Sequence, residues 1–139
     1  MIEKQDYYFA QKADIAGGVA YSQVVKGSVF FTKNYIFEIP SMKSSFRKIA
    51  ITKGALEWAI EMNSLAADMT VEEFEKAMLE ALEDENVITV ADCEKFNIQG
   101  GWWIFGQIRL KVKGRSPRAI SVQPKAFRLE LRKFYNLDS

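Results

Sequence analysis

A chain of 139 residues, 48% hydrophobic and 27% charged, is long enough to bury one sizeable core. Nineteen bases against eighteen acids leave a net charge of +1, which excludes a global electrostatic pull toward nucleic acid or membrane. With no histidine and a single cysteine, Cys93, the sequence also excludes imidazole catalysis, an intrachain disulfide framework and an ordinary structural zinc site.

The opening segment MIEKQDYYFAQKAD is charged and holds no apolar run of signal-peptide length. No window approaches the roughly 20 apolar residues of a membrane helix. The expected location is the cytoplasm, with peripheral membrane attachment as its variant. Up to about Pro40 the chain reads as strands: VAYSQVV at 19–25, SVFFT at 28–32 and YIFEIP from Tyr35, all rich in β-branched and aromatic residues. Lys33 and Asn34 form a tight hairpin, in which Asn34 can accept a positive φ, and Gly27 punctuates the junction before it.

The period then changes from two to 3.6. From about Gly54, Leu56, Ala59 and Ile60 recur at helical spacing beside a second stripe of Trp58, Met62 and Leu65, so this helix is expected to be buried over a wide arc. A second helix opens at Thr70, where TVEE has the form of a capping box. Val71, Phe74, Met78, Ala81 and Leu82 line its inner face, and EDEN at 83–86 ends it.

VITVADCEKFNIQ returns to strand at both ends, and IQGGWWIFGQIRLKVKG follows. In the latter, alternation gives a core face to Trp102, Ile104, Ile108, Leu110 and Val112. The other face is aromatic at its start, with Trp103 and Phe105, and cationic at its end, with Arg109, Lys111 and Lys113. KGRSPR turns the chain, AISVQ makes a short strand, and Pro124 opens a last helix. Phe127, Leu131 and Phe134 share one face of that helix; Lys125, Arg128 and Arg132 fall on another.

Charge is segregated along the chain. Residues 51–95 hold twelve acids and three bases, whereas residues 107–139 hold nine bases and two acids. The two segments either attract each other within the fold or present separate surfaces to partners.

The pieces GSVFFTKNYIFEIP, VADCEKFNIQGGWWIFGQIRLKVKG and AISVQPKAFRLELRKF together resemble the pleckstrin-homology-like (PH-like) group, especially its GRAM and bacterial branches. Gly27, Thr32 and Phe37 occupy the hairpin positions of that pattern. The resemblance implies an α+β fold: a bent β-barrel, or two orthogonal antiparallel sheets, capped by a C-terminal helix at about 124–136. The whole chain, 1–139, would form a single domain with a helical pair inserted at about 52–85.

Catalytic signals are thin: there is no GxxxxGK loop, no GxGxxG and no GxSxG elbow. The spacings of Glu57 with Glu61 and Glu72 with Glu75 are ordinary for a solvated helix face, and Cys93 reads as a small buried residue. No catalytic residue, metal site or cofactor is assigned, and an enzyme is not expected. The leading class is a binding module of PH-like type for a protein, a peptide or an anionic lipid surface. Its candidate anionic-surface residues are Arg109, Lys111, Lys113, Arg115 and Arg118, and its aromatic partner face is Trp103 with Phe105. A single-stranded nucleic-acid module, disfavoured by the near-neutral charge, and a self-assembling component, hence a homo-oligomer, are the alternatives.

Overall fold

The computed structural model describes residues 6–17, 23–41, 54–98, 107–123 and 125–137. Ten elements follow in order: β1 (Tyr7–Gly17), β2 (Gln23–Thr32), β3 (Tyr35–Pro40), α1 (Ala55–Leu65), α2 (Val71–Ala81), β4 (Val87–Thr89), β5 (Cys93–Ile98), β6 (Gln107–Val112), β7 (Arg118–Ser121) and α3 (Lys125–Phe134). The strands make one seven-stranded antiparallel sheet in the order β4-β3-β2-β1-β7-β6-β5.

This corrects the expectation of a closed barrel or two orthogonal sheets. β4 and β5 are consecutive in the chain yet form the two edges of the ladder. A 3₁₀ turn at Val90–Asp92 lies between them and carries the chain from one edge to the other without a shared register. The sheet nevertheless curls. Arg118 at the start of β7 donates to the Glu38 carboxylate on β3, although β2 and β1 lie between those strands in the ladder.

Each face of the sheet has its own core. The concave face gathers residues from all seven strands, among them Ile15, Val29, Phe31, Ile36, Ile88, Ile98, Ile108 and Ile120, and α3 closes it with Leu131. The convex face of β1 to β3 packs Phe30, Phe37 and Ile39 against Ala59, Met62 and Ala66 at α1 and Phe74 and Met78 of α2. Residues 28–32 of β2 and most of β3 are therefore buried on both sides, which is why FFT and YIF read as continuous apolar runs rather than alternating ones.

The N-terminal strand departs from the sequence expectation. The sequence reads as strands up to about Pro40 with the first of them placed at 19–25; residues 18–22 lie outside the described residues. β1 begins at Tyr7, and a bulge lets Ala10 pair with Val29 but Ala13 with Gly27. The extra residue turns both alanines inward, so a period of two fails across it. Ser28, buried opposite the bulge, donates its hydroxyl to the Gln11 carbonyl at 2.7 Å. Gln23 to Thr32 is one unbroken strand, and Gly27 lies within it rather than at a junction.

Gly27 marks a close approach of β2 and β3. A Cβ there would stand 2.5 Å from the Ile39 carbonyl oxygen and 2.8 Å from the Pro40 Cα, both backbone atoms. Gly27→Ala is expected to lower unfolding stability by about 1–3 kcal/mol through overpacking. Urea denaturation would measure this, and an unchanged midpoint would show that the two strands can part at no cost. In the β2–β3 turn the positive φ expected of Asn34 is not used; among the described residues only Gly114 and Asn136 take one. The Thr32 hydroxyl accepts from the Tyr35 N–H at 3.1 Å and closes the turn instead.

The helices follow their signals unevenly. At Thr70 both halves of the capping box form, Glu73 N–H to Thr70 Oγ1 at 3.1 Å and Thr70 N–H to Glu73 Oε1 at 2.9 Å. Those bonds hold the exposed Glu73 carboxyl below its ordinary range. α1 is buried over a narrow arc, not a wide one: Ala59 and Met62 face the sheet, while Leu56, Ile60 and Leu65 are exposed. α3 turns Leu131 and Phe134 inward with Phe127 half-buried, as expected, and ends with Asn136 in the left-handed region, where the Leu137 N–H reaches the Arg132 carbonyl at 2.8 Å. Arg128 does not join a solvated face. It is fully buried, and its guanidinium donates to the Val122 carbonyl at 2.9 Å and to Gln123 Oε1 at 2.8 Å.

Candidate functional site

β6 alternates as the sequence predicts. Ile108, Leu110 and Val112 enter the concave core, and Arg109 and Lys111 point outward, with exposed Lys113 continuing their row into the next turn. β5 pairs with β6 through a second bulge at Glu94, which sets Lys95 directly opposite Lys111 and Asn97 opposite Arg109. Phe96 and Ile98 face the core, so Lys95 joins the outer row, a residue that sequence reasoning missed. The signal was present in CEKFNI, but the register that brings Lys95 beside Lys111 depends on the bulge.

Lys111 Nζ lies 3.4 Å from Glu94 Oε2, with both side chains substantially exposed, and Arg109 Nε donates to Gln107 Oε1 at 3.1 Å. An exposed pair of this kind contributes little to stability. Like charges placed opposite on neighbouring strands oppose pairing, so the Lys95–Lys111 register is not one that folding alone would favour.

Arg115 and Arg118 behave differently. Arg115 donates to the carbonyls of Val87 at 3.0 Å and Asp84 at 3.1 Å, which ties the β6–β7 turn to the start of β4. Arg118 turns inward onto Glu38, which is buried and whose Oε2 has no hydrogen-bond partner. Burial pushes the Glu38 carboxyl up to about 7, against the lowering influence of Arg118 and Arg115. The five sequence candidates thus divide: Arg109, Lys111 and Lys113 form one outward row, and the other two clasp the curled sheet. Trp103 and Phe105 lie outside the described residues.

α3 lies on the other face of β5 and β6, where Tyr135 meets Phe96 of β5 with ring centroids 5.0 Å apart. Tyr135 donates its hydroxyl to the Thr32 carbonyl at 2.6 Å, Lys33 donates to the Phe134 carbonyl and Arg132 to the Ile98 carbonyl. Burial holds the Tyr135 hydroxyl well above its ordinary range. Glu75, expected on a solvated helix face, is buried and accepts from the Thr32 hydroxyl at 2.6 Å.

Chemistry is poorly provided for. Cys93 is half-buried, its Sγ 3.8 Å from the Thr89 carbonyl, and burial together with Asp92 pushes its thiol up, so it stays protonated near neutrality. Among the described residues no three carboxylates or thiols gather into a metal site. A cleft of about 770 Å³ beside the β1 bulge is lined by Lys12, Asp14, Lys26 and Ser28, with the Ser28 hydroxyl already committed to the Gln11 carbonyl. No helix among the described residues is long and apolar enough to cross a membrane.

No family model and no curated protein matches this chain. Among solved structures it is similar to the N-terminal PH domain of the human ARAP2 protein, determined in solution. That likeness has a TM-score of 0.51 at 8% identity and covers 99% of this chain and 82% of the other. The chain has a PH-like fold.

Proposed function

We propose that this chain is a non-enzymatic binding module of PH-like type whose outer β5–β6 face engages an anionic lipid surface. One observation carries the reading: Lys95, Arg109 and Lys111 stand together on one face of adjacent strands whose twelve residues include a single acid, Glu94, and Lys113 follows in the turn beside Asp92. Cations carried on paired strands present their charge to a plane without ordering the backbone on binding, which leaves only the side chains to be ordered. Each adds about 1 kcal/mol near an anionic leaflet. In this reading Arg115 and Arg118 fix the shape of the turn beside the row. The α1–α2 pair, an insertion relative to a simple PH-like domain, covers the convex face of β1 to β3 and not that of β5 and β6.

Co-sedimentation with neutral and phosphatidylserine-containing vesicles tests this. Binding is expected to the anionic vesicles alone and to weaken with salt. Lys111→Glu combined with Lys113→Glu is expected to weaken it by about 30-fold or more, from two lost attractions of about 1 kcal/mol each. Unchanged binding by the double variant would remove β5–β6 from the site. Retention on single-stranded DNA in place of vesicles would transfer the face to a nucleic-acid partner.

A further inference from the structure

Among the described residues two helices each present an exposed row on their outer side, and Leu56 of the α1 row also lines the cleft beside the β1 bulge. α1 turns Ala59 and Met62 toward the sheet and leaves Leu56 and Ile60 41% and 43% exposed, with the acids Glu57 and Glu61 exposed beside them. α3 buries Leu131 and Phe134 and leaves Lys125, Leu129 and Lys133 in an exposed row, Leu129 being 37% exposed. Glu130 occupies the neighbouring row. The first row is apolar and edged by acids; the second is a single leucine between two lysines.

The two stripes cannot meet within one molecule. α1 packs on the convex face of the sheet and α3 on the concave face, so each stripe looks away from the other. The charge around them matches: residues 54–86 carry ten acids and one base, and α3 carries four bases and one acid. Both stripes run along i, i+4 ridges, the rows that interdigitate in the commonest class of helix packing.

We propose that a second copy of this chain covers these faces, with α1 of one molecule docking on α3 of the next, head to tail. Leu56 and Ile60 pack about Leu129, and Glu57 and Glu61 meet Lys125 and Lys133. The contact is heterologous, so it propagates into rings or open chains rather than closing as a two-fold dimer. It is independent of the β5–β6 face, since no residue is shared.

Sedimentation velocity of the full chain tests this, at about 20 mM and about 500 mM salt, where the Debye length falls from about 20 to about 4 Å. The wild type is expected to associate at low salt and to become monomeric at high salt. Glu57→Lys/Glu61→Lys and Lys125→Glu/Lys133→Glu, each confirmed folded by a cooperative melt, are expected to be monomeric alone and to associate when mixed, because mixing restores opposite charge across the contact. A wild type that is monomeric at low salt would overturn the proposal, even if a foreign basic helix then bound α1. Folded variants that still self-associate, or whose mixture stays monomeric, would overturn it as well.

Discussion

Arg118→Ala is expected to lower unfolding stability by about 3 kcal/mol at pH 8 and by about 1 kcal/mol or less at pH 5. The reason lies in its partner. Glu38 is fully buried on the concave side of β3, and Arg118 reaches it across the curl of the sheet. Above neutrality the carboxylate is charged, and removing the guanidinium leaves a buried anion that must either stay unpaired or take up a proton. At pH 5 it already holds that proton, because its carboxyl titrates near 7 in the fold against the usual 4.5. Little is then lost with the cation.

The sign for the intact protein follows from the same shift. Between pH 4.5 and 7 the folded chain retains a proton on Glu38 that the unfolded chain has released. Stability from this group therefore falls as pH rises through that window and levels off above it, by roughly 3 kcal/mol in all. Arg118 and Arg115 oppose the shift and Glu85 reinforces it, but burial dominates. Glu38→Gln removes the titration. The difference in unfolding free energy between this variant and the wild type, measured from pH 4 to pH 8, should change by that amount, and a constant difference would place the Glu38 titration outside the window.

Glu38 also shows where the sequence was legible and where it was not. YIFEIP reads as a strand, and its spacing gives no sign that Glu38 is buried. β3 has no solvated face, because α1 and α2 cover one side and the curled sheet the other. The partner that makes the acid tolerable is 80 residues away, on a strand that is not its neighbour in the ladder. Periodicity reports which residues share a face, so the outward row of Arg109, Lys111 and Lys113 was legible. The inward turn of Arg118 depends on the curvature of the whole sheet and was not. Capping at Thr70 is a contact over three residues and was equally plain, whereas the β1 bulge erases the alternation that would have marked Tyr7 to Ile15 as a strand. Whether β4 and β5 close the ladder rests on the geometry of its two most distant edges, which local spacing does not encode.

The same limit applies to the helical pair, which the order of elements suggests is an accessory placed between β3 and β4. Its packing argues otherwise. Phe74 of α2 is fully buried, with ring centroids 5.5 Å from Tyr7, 5.1 Å from Phe30 and 6.4 Å from Phe37, so one side chain joins the helix to β1, β2 and β3. Phe74→Ala is expected to cost about 4 kcal/mol, combining the lost transfer of the ring with the cavity it leaves among residues that cannot collapse into it. If α1 and α2 belong to the cooperative core, amide protection in β2 and β3 should fall together with that in α2, and urea unfolding should stay a single transition. An accessory pair predicts instead that α2 alone loses protection. In the cooperative case Phe30 and Phe37 need the helices to stay dry, and the covered convex face of β1 to β3 is a structural condition of the fold.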